Sequence, residues 1–174
     1  MTLEILKYPN TILARKAEPV PAVTPEIREL AAGMAEAMYA NQGVGLAAPQ
    51  VGASIRMIVI DLSGPEKREA LMTLVNPVIT AAAGEQEDEE GCLSVRSYRT
   101  VVKRAANVTV TAQDLDGNPL TIEADELLAV CLQHEIDHLE GVLFIDRISR
   151  LKRAMYDKRV KRWALTPKPD QTNS

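Results

Sequence analysis

The order of secondary-structure signals constrains this chain most, because strand-like segments are grouped in its middle with helical periodicity before and after them. Arg56 to Leu62 contains the apolar run Met57-Ile58-Val59-Ile60, Leu71 to Val75 is rich in β-formers ahead of Asn76-Pro77, and Val108, Val110 and Ala112 alternate toward a turn at Asp116-Gly117. On the amino-terminal side, Thr24 can cap a helix that begins Pro25-Glu26. There Ile27, Leu30, Ala31, Met34 and Met38 recur at helical spacing until Asn41-Gln42-Gly43 stops it. A second helix is predicted from about Glu123 to Glu140, closed by Gly141, and a third from about Ile148 to Leu165. Segregated elements predict an α+β fold, with mixed or antiparallel strands packed around the second helix, and argue against a doubly wound sheet.

With 174 residues, 46% of them apolar, the chain can bury one core. We expect a single catalytic domain over residues 1–165, of which 147–165 form a basic C-terminal helix. The tail Thr166 to Ser174 is polar, contains Pro167 and Pro169, and is expected to be disordered. A net charge of −4 lacks the electrostatic term that drives non-specific binding to polyanions, so DNA is not an expected partner. No apolar stretch approaches the roughly 20 residues of a membrane span, and the amino terminus carries no signal pattern, so the expected location is the cytoplasm. In that reducing compartment the two cysteines are read as buried hydrophobes or as metal or catalytic residues.

Chemistry is concentrated in His134-Glu135-Ile136-Asp137-His138, which holds both histidines of the chain within the second predicted helix. Residues four apart share a helical face, so both imidazoles can reach one cation while Glu135 takes a proton from an attacking water. A catalytic site needs a third protein ligand and an open position. A further histidine three residues beyond Gly141 would mark one protease class, but Phe144 stands there; acidic residues downstream are few, namely Asp146, Asp157 and Asp170. Cys131 lies on the same helix, about 10.5 Å along the axis from His138, too far for three ligands to converge. Cys92, in Glu90-Gly91-Cys92-Leu93-Ser94, comes from another element and is the better third ligand.

Three segments in this order, Gly43-Val44-Gly45-Leu46-Ala47-Ala48-Pro49-Gln50, Glu90-Gly91-Cys92-Leu93-Ser94 and Gln133-His134-Glu135-Ile136-Asp137-His138, resemble the peptide deformylase family. Tyr8-Pro9-Asn10, Asn76-Pro77 and Asp146 extend the resemblance over nearly the whole chain. It implies a metal-dependent hydrolase that removes the formyl group from the initiator formyl-methionine of nascent peptides. It further implies Cys92, His134 and His138 as ligands, Glu135 as general acid/base, and the Gln50 amide and Leu93 N–H as oxyanion donors. The metal it implies is Fe2+, although thiolate and imidazole also suit Zn2+ and Ni2+. Val44 and Gly45 are implied to pair with bound peptide, and Gly91 and Arg99 to stand at the cleft mouth.

Helical spacing puts Leu127, Val130 and Cys131 on the face of His134, where they can wall an apolar cavity for a methionine side chain; ordinary core packing is the competing account, and Cys131 is read as structural. One departure from the family pattern is Arg96, two residues after Ser94, where proline is usual; it is expected to add a charge near the peptide's path. A metallo-peptidase and a non-catalytic metal-binding module are the alternatives. The first lacks a sign of a longer cleft or amine-recognition site, and the second would close all four metal positions with protein.

Between Arg147 and Leu165 there are eight basic residues against Asp157, a local +7 in a chain of −4, which leaves about −11 for the remainder. Ile148, Leu151 and Met155 form a stripe expected to dock on the body, while Lys158, Arg159 and Arg162 occupy its continuation, so the second half of the helix is expected to leave the surface. A solvated helix end explains such a run, and so does a basic arm against ribosomal RNA.

Overall fold

A computed structural model describes residues 2–165. The order-disorder expectation for 166–174 lies outside the described residues. Helix α1 spans Pro25–Ala40, with the Thr24 hydroxyl accepting from the Ile27 amide at 3.3 Å and proline in its first turn. Strands β1 (Gly45–Ala47), β2 (Met57–Ile60), β3 (Met72–Ala83), β6 (Asn107–Gln113) and β7 (Pro119–Asp125) form an antiparallel sheet in the order β1-β2-β3-β6-β7. Strands β4 (Gln86–Cys92) and β5 (Val95–Arg104) form a separate two-stranded sheet. A single turn, α2 (Gly64–Lys67), precedes β3, and α3 (Glu126–Leu139) and α4 (Arg150–Leu165) follow the strands. No helix among the described residues is long and apolar enough to cross a membrane. The fold is α+β with antiparallel strands, as expected.

All four residues of β2 are buried because the sheet is covered on both faces. Met57 and Val59 pack with Met34 and Met38 of α1, whereas Ile58 and Ile60 pack with Leu132, Ile136 and Leu139 of α3. Each such side chain contributes about 1.5–3 kcal/mol, so this strand fastens the two helices to opposite faces. Helix α3 is thereby held rigidly beside β1. It ends where expected: Gly141 has φ +74, and a Cβ there would lie 2.6 Å from the Ala14 carbonyl oxygen.

Several boundaries differ from the sequence reading. Strand β3 runs on through Asn76-Pro77 by way of a register shift between Val75 and Val78; Asn76 adopts φ 51, and its side chain bonds both the amide and the carbonyl of Val20. Residues 123–125, expected in the second helix, belong to β7, whose Glu123 and Asp125 pair with Thr109 and Asn107 of β6. Helix α3 begins only at Glu126, which has φ 47. The β4–β5 hairpin had no sequence signal, since its first strand is mostly acidic.

The predicted docking of the C-terminal helix is also corrected. Ile148 packs on the body as expected, against an apolar cluster that includes Val95, Phe144 and the buried Tyr156, but Leu151 and Met155 are exposed, at 72% and 59%, and Val160 and Trp163 pack on that cluster instead. The aromatic positions, spaced with Val160 at helical intervals, bury more area than the expected stripe and so choose the face. The second half therefore stays on the body: Arg159 donates to the Ser97 carbonyl at 3.0 Å, and the Arg96 guanidinium stacks on Trp163 at 4.6 Å. Arg96 is accordingly engaged with α4.

Candidate metal centre

Cys92 closes β4, and His134 and His138 lie one turn apart on α3. One ligand atom from each lies within 4.8 Å of the other two, with Cys92 Sγ 3.4 Å from His138 Nε2. His134 uses Nδ1 to bond Glu90 at 2.9 Å, which leaves Nε2 facing the other two ligands. Cys131, on the same helix, is not part of the cluster; burial pushes its thiol up to about 12, as suits an inert side chain. The donor set fits a divalent cation, since a thiolate and two imidazoles converge from two elements and leave part of the coordination sphere to other ligands.

Glu135 is buried beside this cluster, its Oε1 3.9 Å from His134 Nε2 and its Oε2 without a hydrogen-bond partner from the protein. Burial pushes its carboxyl up to about 7, despite the opposing influence of His134 and Arg104. A Cβ at Gly45 would lie 2.7 Å from Glu135 Oε1, so the glycine at this position lets the backbone of β1 close over the carboxylate. Among the histidines, burial and the neighbouring His134 push His138 well below its ordinary value. For His134 burial acts the same way but is outweighed by bonds to Cys92 and Glu90, which raise it.

Gln50 is fixed at both ends of its amide. Oε1 accepts from the Ala47 N–H at 2.9 Å, and Nε2 donates to Ser94 Oγ at 3.0 Å and approaches Cys92 Sγ at 3.6 Å. The Leu93 backbone sits in the turn between β4 and β5, next to the thiol. A cavity of about 700 Å3 opens over the site; Val44, Gly45, Gln50, Gly91, Cys92, Leu93, Arg99, Leu127, Val130, His134 and Glu135 all line it. Leu127 is 49% exposed and stands at the mouth, whereas Val130 is buried against the floor.

Sequence reasoning missed what orients the site. Arg104, buried, makes a paired ion contact to Glu90 at 2.8 Å and 2.8 Å and a third to Asp137 at 2.7 Å; Asp137 in turn holds Arg147. Glu90 thus joins Arg104 to His134. Burial alone would raise its carboxyl, yet the bonds from Arg104 and His134 hold it down at about 2. Gln133 pairs its amide with both backbone groups of Ala105 at 3.0 Å, tying α3 to the end of β5. The signal for Arg104 was the inward alternation of Val102 and Arg104, readable only once β5 is recognised as a strand.

The model of the Polypeptide deformylase family matches residues 2–154. A peptide deformylase of Thermodesulfovibrio yellowstonii is 48% identical over 159 residues, 91% of this chain and 96% of the relative, and one of Acidobacterium capsulatum is 49% identical over 162 residues, 93% and 95% of the two chains. Among solved structures, a peptide deformylase from Legionella pneumophila superposes with TM-score 0.87 at 43% identity, covering 96% of this chain and 100% of that one. One from Ehrlichia chaffeensis in complex with actinonin gives 0.87 at 38%, covering 95% and 99%.

Proposed function

The chain belongs to the polypeptide deformylase family, and from that membership we propose how its residues divide the work of a metal-dependent hydrolase that removes the N-formyl group from nascent polypeptides and releases formate. The observation that carries the reading is a buried carboxylate, Glu135, set beside a three-ligand Cys/His/His cluster at the floor of an open cavity. A divalent cation held by Cys92, His134 and His138 would supply Lewis acidity, making water a better nucleophile and the formyl carbonyl a better electrophile. Ferrous iron is the metal we propose; Zn2+ and Ni2+ suit the same donors.

Glu135 accepts the proton as the water oxygen bonds to the formyl carbon, then delivers it to the methionine nitrogen as the C–N bond breaks. A carboxyl near neutrality suits both duties. The oxyanion that forms between these steps is met by Gln50 Nε2 and the Leu93 N–H. Gln50 is suited to this because its oxygen is already occupied by Ala47, so the donor end faces the thiol side. Leu127 and Val130 receive the methionine side chain, while Val44 and Gly45 offer backbone to the peptide and Gly91 and Arg99 stand at the mouth.

The enzyme is proposed to act in the cytoplasm, on chains leaving the ribosome, with the exposed basic side of α4 toward ribosomal RNA. The test of the catalytic reading is formate release from a formyl-Met peptide after anaerobic loading with Fe2+, Zn2+ or Ni2+ in turn. Equal cleavage of unformylated peptides would replace it with a peptidase, and turnover highest with Zn2+ or Ni2+ would overturn the assignment of iron alone.

A further inference from the structure

We infer that Lys7 is a positioning residue for the reaction, and that the tripeptide Leu6-Lys7-Tyr8 holds the two oxyanion donors in register with each other. Those donors come from separate turns. Gln50 lies on the single turn Ala48–Val51 that follows β1, whereas Leu93 lies in the turn of the β4–β5 hairpin. Three consecutive residues reach both. The Leu6 N–H donates to the Gln50 carbonyl at 2.7 Å, the Tyr8 N–H to the Ser94 carbonyl at 2.8 Å, and between them Lys7 Nζ donates to the Leu93 carbonyl at 2.5 Å.

The tripeptide is itself anchored. Tyr8 donates its hydroxyl to Asp157 of α4 at 2.6 Å, and the Arg153 guanidinium lies 5.5 Å from its ring centre. The Ser94 residue that receives the Tyr8 amide also receives Gln50 Nε2 on its hydroxyl, so a displacement of either turn is felt by the other donor. Lys7 is the one side chain of the three that bonds the turn carrying Leu93. A charge-assisted bond on the Leu93 carbonyl restricts rotation of that residue, and with it the direction of its own N–H. Oxyanion stabilisation depends on donors already aimed where charge develops, so loosening one should slow the chemical step without weakening ground-state binding.

This inference rests on the reading of Gln50 and Leu93 as oxyanion donors, and the experiment separates the two. Lys7→Met keeps the stem and removes the ammonium; Lys7→Arg restores a cationic donor; Gln50→Leu removes a donor outright. All are assayed as metal-loaded full-length enzyme on a short formyl-Met peptide, with metal content and Tm measured alongside. Loss of a donor costs about 10²- to 10³-fold, so Lys7→Met, which only loosens one, is expected to lower kcat about 5- to 10-fold with KM, metal content and Tm unchanged, and Lys7→Arg to recover most of it. Unchanged kcat in Lys7→Met overturns the inference, as does a loss that appears in KM or metal content, or one that Lys7→Arg shares in full. Wild-type kcat in Gln50→Leu would instead remove the oxyanion reading, whereas a Gln50→Leu loss beside an intact Lys7→Met sinks Lys7 alone.

Discussion

At Glu135 shape and proton affinity can be separated by one atom exchange. Glu135→Gln is expected to retain the metal and lose nearly all turnover, about 10²- to 10⁴-fold, because the amide keeps the volume but cannot accept the proton; metal analysis with formate release checks it. Gly45→Ala attacks the same group sterically, since the new Cβ would stand 2.7 Å from Glu135 Oε1, and should depress kcat in a folded, metal-replete protein. Replacing Cys92 with Ser should strip or weaken the metal while Cys131→Ser leaves it, and equal metal content in the two would refute the ligand set. Glu90 carries a pH signature. Its folded carboxyl is held near 2 against an ordinary 4.5, so its stabilisation is present above about pH 4.5 and is lost as pH falls through 2. That difference is on the order of 3 kcal/mol, and denaturant melts of Glu90→Gln should show a flatter acid limb than wild type. The convergence of Cys92, His134 and His138, with Glu135 beside them, was legible because ligand chemistry leaves few residue types to choose from. Arg104 was not, because its partners Glu90 and Asp137 lie 14 and 33 positions away along the chain.

Among the elements, the sequence disclosed those whose stability comes from apolar periodicity and hid those stabilised by pairing. Helices α1 and α3 and strand β2 carried their own signals. Strand β4 did not, being an acidic run that is held extended by cross-strand contacts of Glu87 with Lys103 and Glu89 with Arg99, and by the burial of Glu90 on Arg104. In α4 the period was right and the face was wrong, because hydropathy ranks Leu151 and Met155 above Tyr156 and Trp163 while contact area ranks them below. The corrected face has a measurable effect. Tyr156 and Arg159 bond the carbonyls of Arg96 and Ser97, and Ser97 and Tyr98 line the cavity, so α4 braces the rim of the cleft. Trp163→Ala removes the stack under Arg96; we expect a KM about 3- to 10-fold higher for formylated tetrapeptides but little change for a minimal formyl-Met substrate, where the rim makes few contacts.

Over the whole molecule, the basic residues of α4 oppose a strongly acidic remainder, which would keep attraction to RNA local and oriented. Because Arg159 is tied to Ser97, the discriminating substitutions are Lys158→Gln and Lys161→Gln on the exposed side. Ribosome co-sedimentation that falls with both, and more steeply with salt in wild type, alongside intact turnover of a short peptide, is the outcome expected of a docking surface. Unchanged sedimentation would return α4 to its structural duties. The ion network from Arg147 through Asp137 and Arg104 to Glu90 has a consequence of another kind. It joins α3 to the β4–β5 hairpin through protein contacts alone, which should keep the ligands assembled when the cation leaves. Chelated protein should therefore keep its circular-dichroism spectrum and regain activity on reloading, behaving as a socket that exchanges its ion, whereas Arg104→Met, which strands Glu90, should cost about 3–5 kcal/mol and reload poorly.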